Sequence, residues 1–102
     1  MLNSYREIYE KFGWKPKAGI WLNVEDGTCC PLVMRLIAQG KIDLSFKDSL
    51  SGAYLAAKVR EEFGEYGWGF IDGFDDTSRV AVPKGEYLEG YVQGKMAAKD
   101  LL

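Results

Sequence analysis

The sequence predicts a mainly α fold of about four helices, with one short two-stranded β pair, in a single domain covering residues 1–102. Two observations lead to this prediction. Apolar residues recur at helical spacing along much of the chain, and glycines follow these stretches where helices commonly end. In addition, 47% of the 102 residues are apolar, which is enough for one core without disulfides or metals as staples.

The first helix is predicted from Ser4 to Phe12. Ser4 and Glu7 have the Ser-x-x-Glu form of a capping box, in which two side chains bind free backbone amides at a helix start. Gly13 ends the helix, because glycine readily adopts the left-handed conformation of a helix C-terminus.

Two short strands are predicted from alternating apolar residues. The segment "GIWLNVEDG" predicts a strand from Ile20 to Val24 before an Asp-Gly turn. The segment "SRVAVPKG" predicts a strand from Arg79 to Val82, which Pro83 ends. We expect these two strands to pair with each other.

Two further helices lie between these strands. Thr28 is the predicted cap of the second helix, which has Pro31 in its first turn, ends near Gln39 and is apolar nearly all round. A connector over residues 41–50 follows. Ser51 then caps a third helix that breaks near Gly64. The second helix is therefore predicted to be buried.

A Gly-rich stretch, "EYGWGFIDGFDD", is echoed 21 residues later by "EYLEGYVQGKMA" in a last helix predicted from Glu86 to Leu101. Three glycines within seven residues disfavour a helix in the first copy, since each costs about 1 kcal/mol against alanine. Glycines four apart nevertheless share one helix face and permit close approach of another backbone or ring. Helix and loop both remain open for this stretch. The predicted structural glycines are Gly69, Gly73, Gly90 and Gly94.

A phosphate-binding loop is the rival interpretation of the Gly-rich stretch. Its pattern, Gly-x-Gly-x-x-x-Gly, differs from the dinucleotide fingerprint and from the P-loop. Asp72, Asp75 and Asp76 would also repel phosphate. These acids, with Glu65, are a conceivable Mg²⁺ or Ca²⁺ cluster, but turn formation and helix capping explain them without a metal. We therefore expect no metal and no cofactor.

Three motifs together resemble a group of small bacterial and phage-associated proteins. The motifs are "CCPL", "GFIDGFDD" and "GYVQGKMAA", which lie between Trp14 and Ala98. In that group a Cys-Cys helix start, a Gly-Phe-x-x-Gly-Phe-Asp stretch and a terminal Gly-Tyr-x-x-Gly-Arg/Lys helix occur in this order. Similar reading frames travel on mobile gene cassettes. The resemblance implies a single domain with a shared packing scheme, and it carries over no activity.

The two cysteines, Cys29 and Cys30, precede the second predicted helix. The amides and dipole of a helix start favour a reactive thiolate, so a thiol-dependent enzyme or redox protein is one hypothesis. The chain has no histidine, which excludes a Cys-His pair or a Ser-His-Asp triad within one chain. Small buried core residues are the simpler interpretation of both thiols.

Charge and hydropathy limit the classes of partner. Thirteen basic and fifteen acidic residues give a net charge of −2, with both signs scattered, so nucleic acid and anionic membranes are poor matches. The charged start differs from a signal peptide, and no apolar run reaches the roughly 18 residues of a membrane span. We therefore expect a cytoplasmic protein.

Aromatic residues make up 14% of the chain, and one small core cannot cover every ring. Exposed rings are typical of dimer interfaces and of apolar ligand sites. We therefore expect a non-enzymatic binding or interaction module, a homodimer that recognises a protein or a small apolar ligand. The interface candidates are Trp68, Phe70, Phe74, Tyr87 and Tyr91, with Trp68 and Tyr91 as anchors.

Overall fold

A computed structural model describes residues 4–45 and 50–102, and within them the chain is mostly helical, as predicted. By its internal contacts the chain divides into two compact units, Met1–Ala56 and Ala57–Leu102, with the boundary inside the third helix. The expectation of a single domain stays a prediction. The elements in order are α1 Tyr5–Phe12, β1 Lys15–Pro16, β2 Leu22–Asn23, β3 Thr28–Cys29, α2 Pro31–Ala38, α3 Gly52–Asp75 and α4 Gly85–Leu101.

The bounds of α1 confirm the predicted helix. The Ser4 hydroxyl accepts a hydrogen bond of 3.2 Å from the Glu7 amide at its start. Gly13 ends the helix with φ +72°, in the left-handed region. The hydroxyl of the buried Tyr9 donates a hydrogen bond of 2.5 Å to the Cys29 carbonyl, which connects α1 to β3 within the first unit.

The sheet has three strands in the order β1-β3-β2. β2 lies within the predicted strand, but its antiparallel partner is β3, so the predicted pairing with residues 79–82 is wrong. The Asn23 side chain accepts a hydrogen bond of 3.1 Å from the Asp26 amide and so closes a local turn to β3. β1 pairs with the other edge of β3 in parallel. No sequence pattern predicted β1, which is two residues long and contains Pro16.

The start of α2 differs from the prediction. Thr28 lies in β3, so the cap position falls to Cys30, whose side chain makes no capping hydrogen bond. Pro31 occupies the first turn, as predicted, where a missing amide costs little. Six of the eight residues of α2 are buried, which confirms a buried helix. Of the predicted connector at 41–50, residues 46–49 lie outside the described part of the chain.

A kink divides α3 at Gly64, where the helix was predicted to break. Gly64 has φ +61° and ψ −144°, a conformation that essentially only glycine adopts. Before the kink, the Ser51 hydroxyl accepts a hydrogen bond from the Tyr54 amide, which confirms the predicted cap. After the kink the Gly-rich stretch continues as helix to Asp75.

The second predicted strand, residues 79–82, has no regular secondary structure. Side chains form hydrogen bonds with backbone groups of this segment that would otherwise pair with a neighbouring strand. The Ser78 hydroxyl donates to the Val80 carbonyl at 2.6 Å, and the Arg79 amide donates to Asp72 at 3.4 Å. This segment belongs to the connection between α3 and α4.

Candidate functional site

The second unit is built on close contact between the Gly-rich end of α3 and α4. Gly69, Gly73, Gly90 and Gly94 are buried, and each lies against the backbone of the other helix. A Cβ atom at Gly90 would come within 2.8 Å of the Phe70 amide nitrogen and overlap the Tyr66 carbonyl oxygen. Only glycine permits this approach, so the spacing of four serves packing of backbone against backbone.

The two helices run in the same direction. Gly64 lies near Glu86 at one end of the pair, and Asp76 binds Lys95 at the other, at 2.5 Å. In a parallel pair, the connection must run back along the helices from the end of α3 to the start of α4. That distance is about 15 Å, the rise of ten helical residues. Residues 76–84 are long enough, since nine extended residues reach about 30 Å. The connection is therefore a crossover rather than a tight turn.

The 21-residue echo is the sequence signature of an approximate two-fold relation between α3 and α4. Exchanging the helices by this shift turns the contact of Gly69 with the Tyr87 carbonyl into that of Gly90 with the Tyr66 carbonyl. The second exchanged pair is Gly73 with Tyr91 and Gly94 with Phe70. In each case a hydrogen of the glycine Cα takes the place of the side chain, so the geometry suits weak Cα–H···O contacts.

A polar cluster around Asp72 holds the crossover on this helix pair. Asp72 is 2% exposed and accepts two hydrogen bonds from the Arg79 side chain, from Nε at 3.1 Å and from Nη2 at 2.9 Å. The Tyr87 hydroxyl donates a further hydrogen bond to the same carboxylate. Burial, followed by the contact with Asp72, raises the pKa of Tyr87, so its hydroxyl keeps the donated proton. The buried carboxylate is thus fully paired.

Two further contacts fix the first half of the crossover. The Arg79 guanidinium lies over the Trp68 ring, 4.4 Å from its centre, in a cation–π contact. Lys95 binds Asp76 and lies 5.4 Å from the centre of the Tyr91 ring. The hydrogen bond and charge of Lys95 lower the pKa of Asp76. Arg79 and Lys95, which the sequence analysis did not single out, therefore connect the crossover to both helices.

The predicted interface rings fall into two groups. Phe70, Phe74 and Tyr87 are 1%, 2% and 7% exposed, so they are buried in the chain and leave no surface for a partner. Trp68 and Tyr91 are half-buried. Trp68 is partly covered by Arg79, and the Tyr91 ring stacks on Tyr87 with centroids 6.3 Å apart.

A row of exposed apolar residues in the second unit lies along one side of α4. Leu88, Val92 and Met96 are 41%, 45% and 58% exposed and follow each other at intervals of four, which places them on one side of the helix. We call these three residues the α4 stripe. A half-open groove of 510 Å³ runs beside it, lined by Tyr66, Leu88, Glu89, Val92 and Gln93. The sequence signal was the interval of four, which the sequence analysis assigned only to the buried side of α4.

The two thiols are closed to solvent in the first unit. Cys29 is 0% and Cys30 1% exposed, and neither forms a disulfide. Burial raises the pKa of the Cys29 thiol to about 12, against the small opposing effect of the Tyr9 hydroxyl. The Cys29 Sγ lies 3.9 Å from the Met34 Sδ. These surroundings suit an inert core thiol rather than a nucleophile.

The acidic residues near the Gly-rich stretch do not converge on one point. Asp72 points to Arg79, and Asp76 points to Lys95. Over residues 4–45 and 50–102, no three Cys, Asp or Glu side chains lie together in a way that would hold a metal ion. Within the same residues, no helix combines the length and apolar character needed to cross a membrane.

Comparison with known proteins adds no relative: the chain matches no protein-family model, no curated protein and no solved structure.

Proposed function

We propose that this protein is a non-enzymatic interaction module whose binding surface is the α4 stripe, and that it self-associates as a homodimer through this surface. The observation that carries the proposal is the exposure of Leu88, Val92 and Met96 in an unbroken row on a rigid helix. Single exposed apolar residues are common on protein surfaces, but contiguous apolar patches mark interaction sites.

The support beneath the stripe suits a binding surface. The four buried glycines fix α4 against α3, and the Asp72 cluster holds the crossover that joins them. A helix fixed in this way loses little conformational entropy when a partner docks on it. Beside the stripe, Tyr66 and the groove supply an aromatic wall, and Glu89 and Gln93 supply a polar rim.

The alternative, a thiol-dependent enzyme built on Cys29 and Cys30, has less support. Both thiols are buried, and a pKa near 12 for Cys29 leaves almost no thiolate at neutral pH. A nucleophile needs a path to its substrate and a partner that favours the thiolate. Around Cys29 burial has the larger effect and opposes ionisation.

The experiment is a measurement of molar mass by light scattering over micromolar concentrations. We expect the wild-type protein to have twice the mass of one chain, and we expect Val92→Glu to be a monomer, because a charge at the centre of the stripe would be buried without a partner. Val82→Glu is the matched control. Val82 is 73% exposed in the crossover and is not part of the stripe, so the same change there should leave the dimer intact.

Two results would overturn the proposal. One is a wild-type protein that stays a monomer at every concentration. The other is a dimer that Val92→Glu leaves unchanged while circular dichroism shows that the variant is folded. Rapid labelling of Cys29 by a thiol reagent in the native protein would instead favour the thiol enzyme.

A further inference from the structure

We infer that two copies of the chain pair through α4 in antiparallel orientation, with Val92 of one copy against Val92 of the other at the two-fold axis. This inference rests on the proposed function and specifies the geometry of its interface. The α4 stripe has Val92 at its middle, with Leu88 and Met96 one turn to either side. A two-fold axis through the middle of the stripe therefore covers all three residues at once.

The approximate two-fold relation within the second unit indicates what kind of element covers the stripe. Under the shift of 21 residues, Leu88 and Val92 of α4 correspond to Gly67 and Ile71 of α3. These α3 positions are buried, and Ile71 is 6% exposed. Met96 corresponds to Asp75, which is half-buried. The side of α3 that matches the stripe is therefore closed at the first two of its three positions, whereas the stripe on α4 is open.

A helical segment forms part of the cover on α3. The kink at Gly64 brings the preceding turns over Gly67, so that a Cβ atom at Gly67 would lie 2.9 Å from both the Val59 Cγ1 and the Phe63 Cβ atoms. Apolar side chains of a helical segment therefore cover this part of α3. The α4 stripe of a second copy is an apolar helix face of the same kind and is available in every copy.

Charge decides the orientation of the two α4 helices. The first half of α4 carries Glu86 and Glu89 and no basic residue, whereas the second half carries Lys95, Lys99 and Asp100. A parallel pair would bring the two acidic halves together. An antiparallel pair centred on Val92 instead places the acidic first half of each α4 beside the second half of the other copy, which carries Lys99, and it also opposes the helix dipoles favourably.

Cysteine cross-linking with copper phenanthroline tests this geometry. A disulfide requires Cα atoms about 4.4–6.8 Å apart. In the antiparallel pair Val92→Cys meets itself, whereas Leu88→Cys and Met96→Cys are each about 12 Å from their own copies, by the rise of eight helical residues. We expect the Val92→Cys protein to cross-link alone. The other two should cross-link only when differently tagged chains of Leu88→Cys and Met96→Cys are mixed.

The wild-type protein is the control for background cross-linking, since its two cysteines are buried. If all three variants cross-link alone, the helices are parallel and the inference is wrong, although the proposed interaction module stands. A dimer by light scattering that none of the variants cross-links also overturns the inference. A monomeric wild-type protein removes the proposed function and the inference with it.

Discussion

The Cα atom of Gly90 lies against the carbonyl oxygen of Tyr66, so that α3 and α4 touch through their backbones. The same contact recurs with the helices exchanged, between Gly69 and Tyr87. Glycine in a helix interior costs about 1 kcal/mol against alanine, which makes the four glycines unfavourable for each helix taken alone. The packing of the two helices must offset that cost, so replacing one of these glycines should measurably lower the stability of the protein.

We predict that Gly90→Ala destabilises the protein by roughly 1 to 3 kcal/mol, because the new Cβ would overlap backbone atoms that cannot move aside as a flexible side chain does. Gly52→Ala is the control. Gly52 begins α3, and a Cβ there would lie at an ordinary 3.7 Å from the Trp21 Cδ1. Denaturant melts of both variants should show a loss for Gly90→Ala alone, and equal stabilities would contradict backbone packing.

Local sequence signals predicted the helices well. Ser4, Gly13 and Ser51 mark helix ends at the positions where the structure has them, because a capping hydrogen bond or a left-handed glycine depends only on near neighbours. The strands depended on more distant partners. Apolar and other residues alternate from Arg79 to Val82 as in a strand. The buried Asp72 binds Arg79, however, and holds this segment in the crossover.

The candidate surface was harder to predict than the helices. Aromatic content suggested exposed rings, yet Phe70 and Phe74 are only 1% and 2% exposed. The exposed apolar row on α4 is aliphatic instead, formed by Leu88, Val92 and Met96. The repeat at intervals of four was visible in the sequence. Which side of α4 it would leave open depends on the two-fold relation with α3, which is a tertiary property.

We predict that Asp72 and Arg79 are strongly coupled, because Asp72 is 2% exposed and depends on Arg79 for charge compensation. Arg79→Ala should cost on the order of 1 to 3 kcal/mol, as for hydrogen bonds to a charged group. In a double-mutant cycle with Asp72→Asn, much of that loss should disappear. The control is Glu61→Ala, in which a 69% exposed side chain loses its pair with Lys58 at 3.8 Å, and which should cost only a few tenths of a kcal/mol.

Denaturant midpoints of the four proteins in the cycle measure this coupling. Additive losses for Asp72→Asn and Arg79→Ala would show that the crossover is held by its other contacts, such as that between Asp76 and Lys95.

The buried thiol of Cys29 predicts a loss of stability in alkaline solution. Burial raises its pKa to about 12 in the folded chain, whereas a cysteine in the unfolded chain ionises near pH 8.5, roughly. Above that pH the unfolded state binds fewer protons than the folded state, so the free energy of unfolding falls as pH rises, and it falls until pH passes the folded pKa. The stabilising effect of the protonated thiol is therefore complete below about pH 8.5.

Between pH 7.5 and 9.5 we expect the wild-type protein to lose about 1.4 kcal/mol more than Cys29→Ala, which has no group to ionise at this position. The comparison cancels the titration of all groups that the two proteins share. The upper limit of the range lies below the ionisation of tyrosine, so the buried Tyr9, whose pKa burial also raises, contributes little. Urea melts at the two pH values measure the difference. Parallel pH dependence in both proteins would mean that the Cys29 thiol ionises in the folded chain, and the thiol enzyme would regain support.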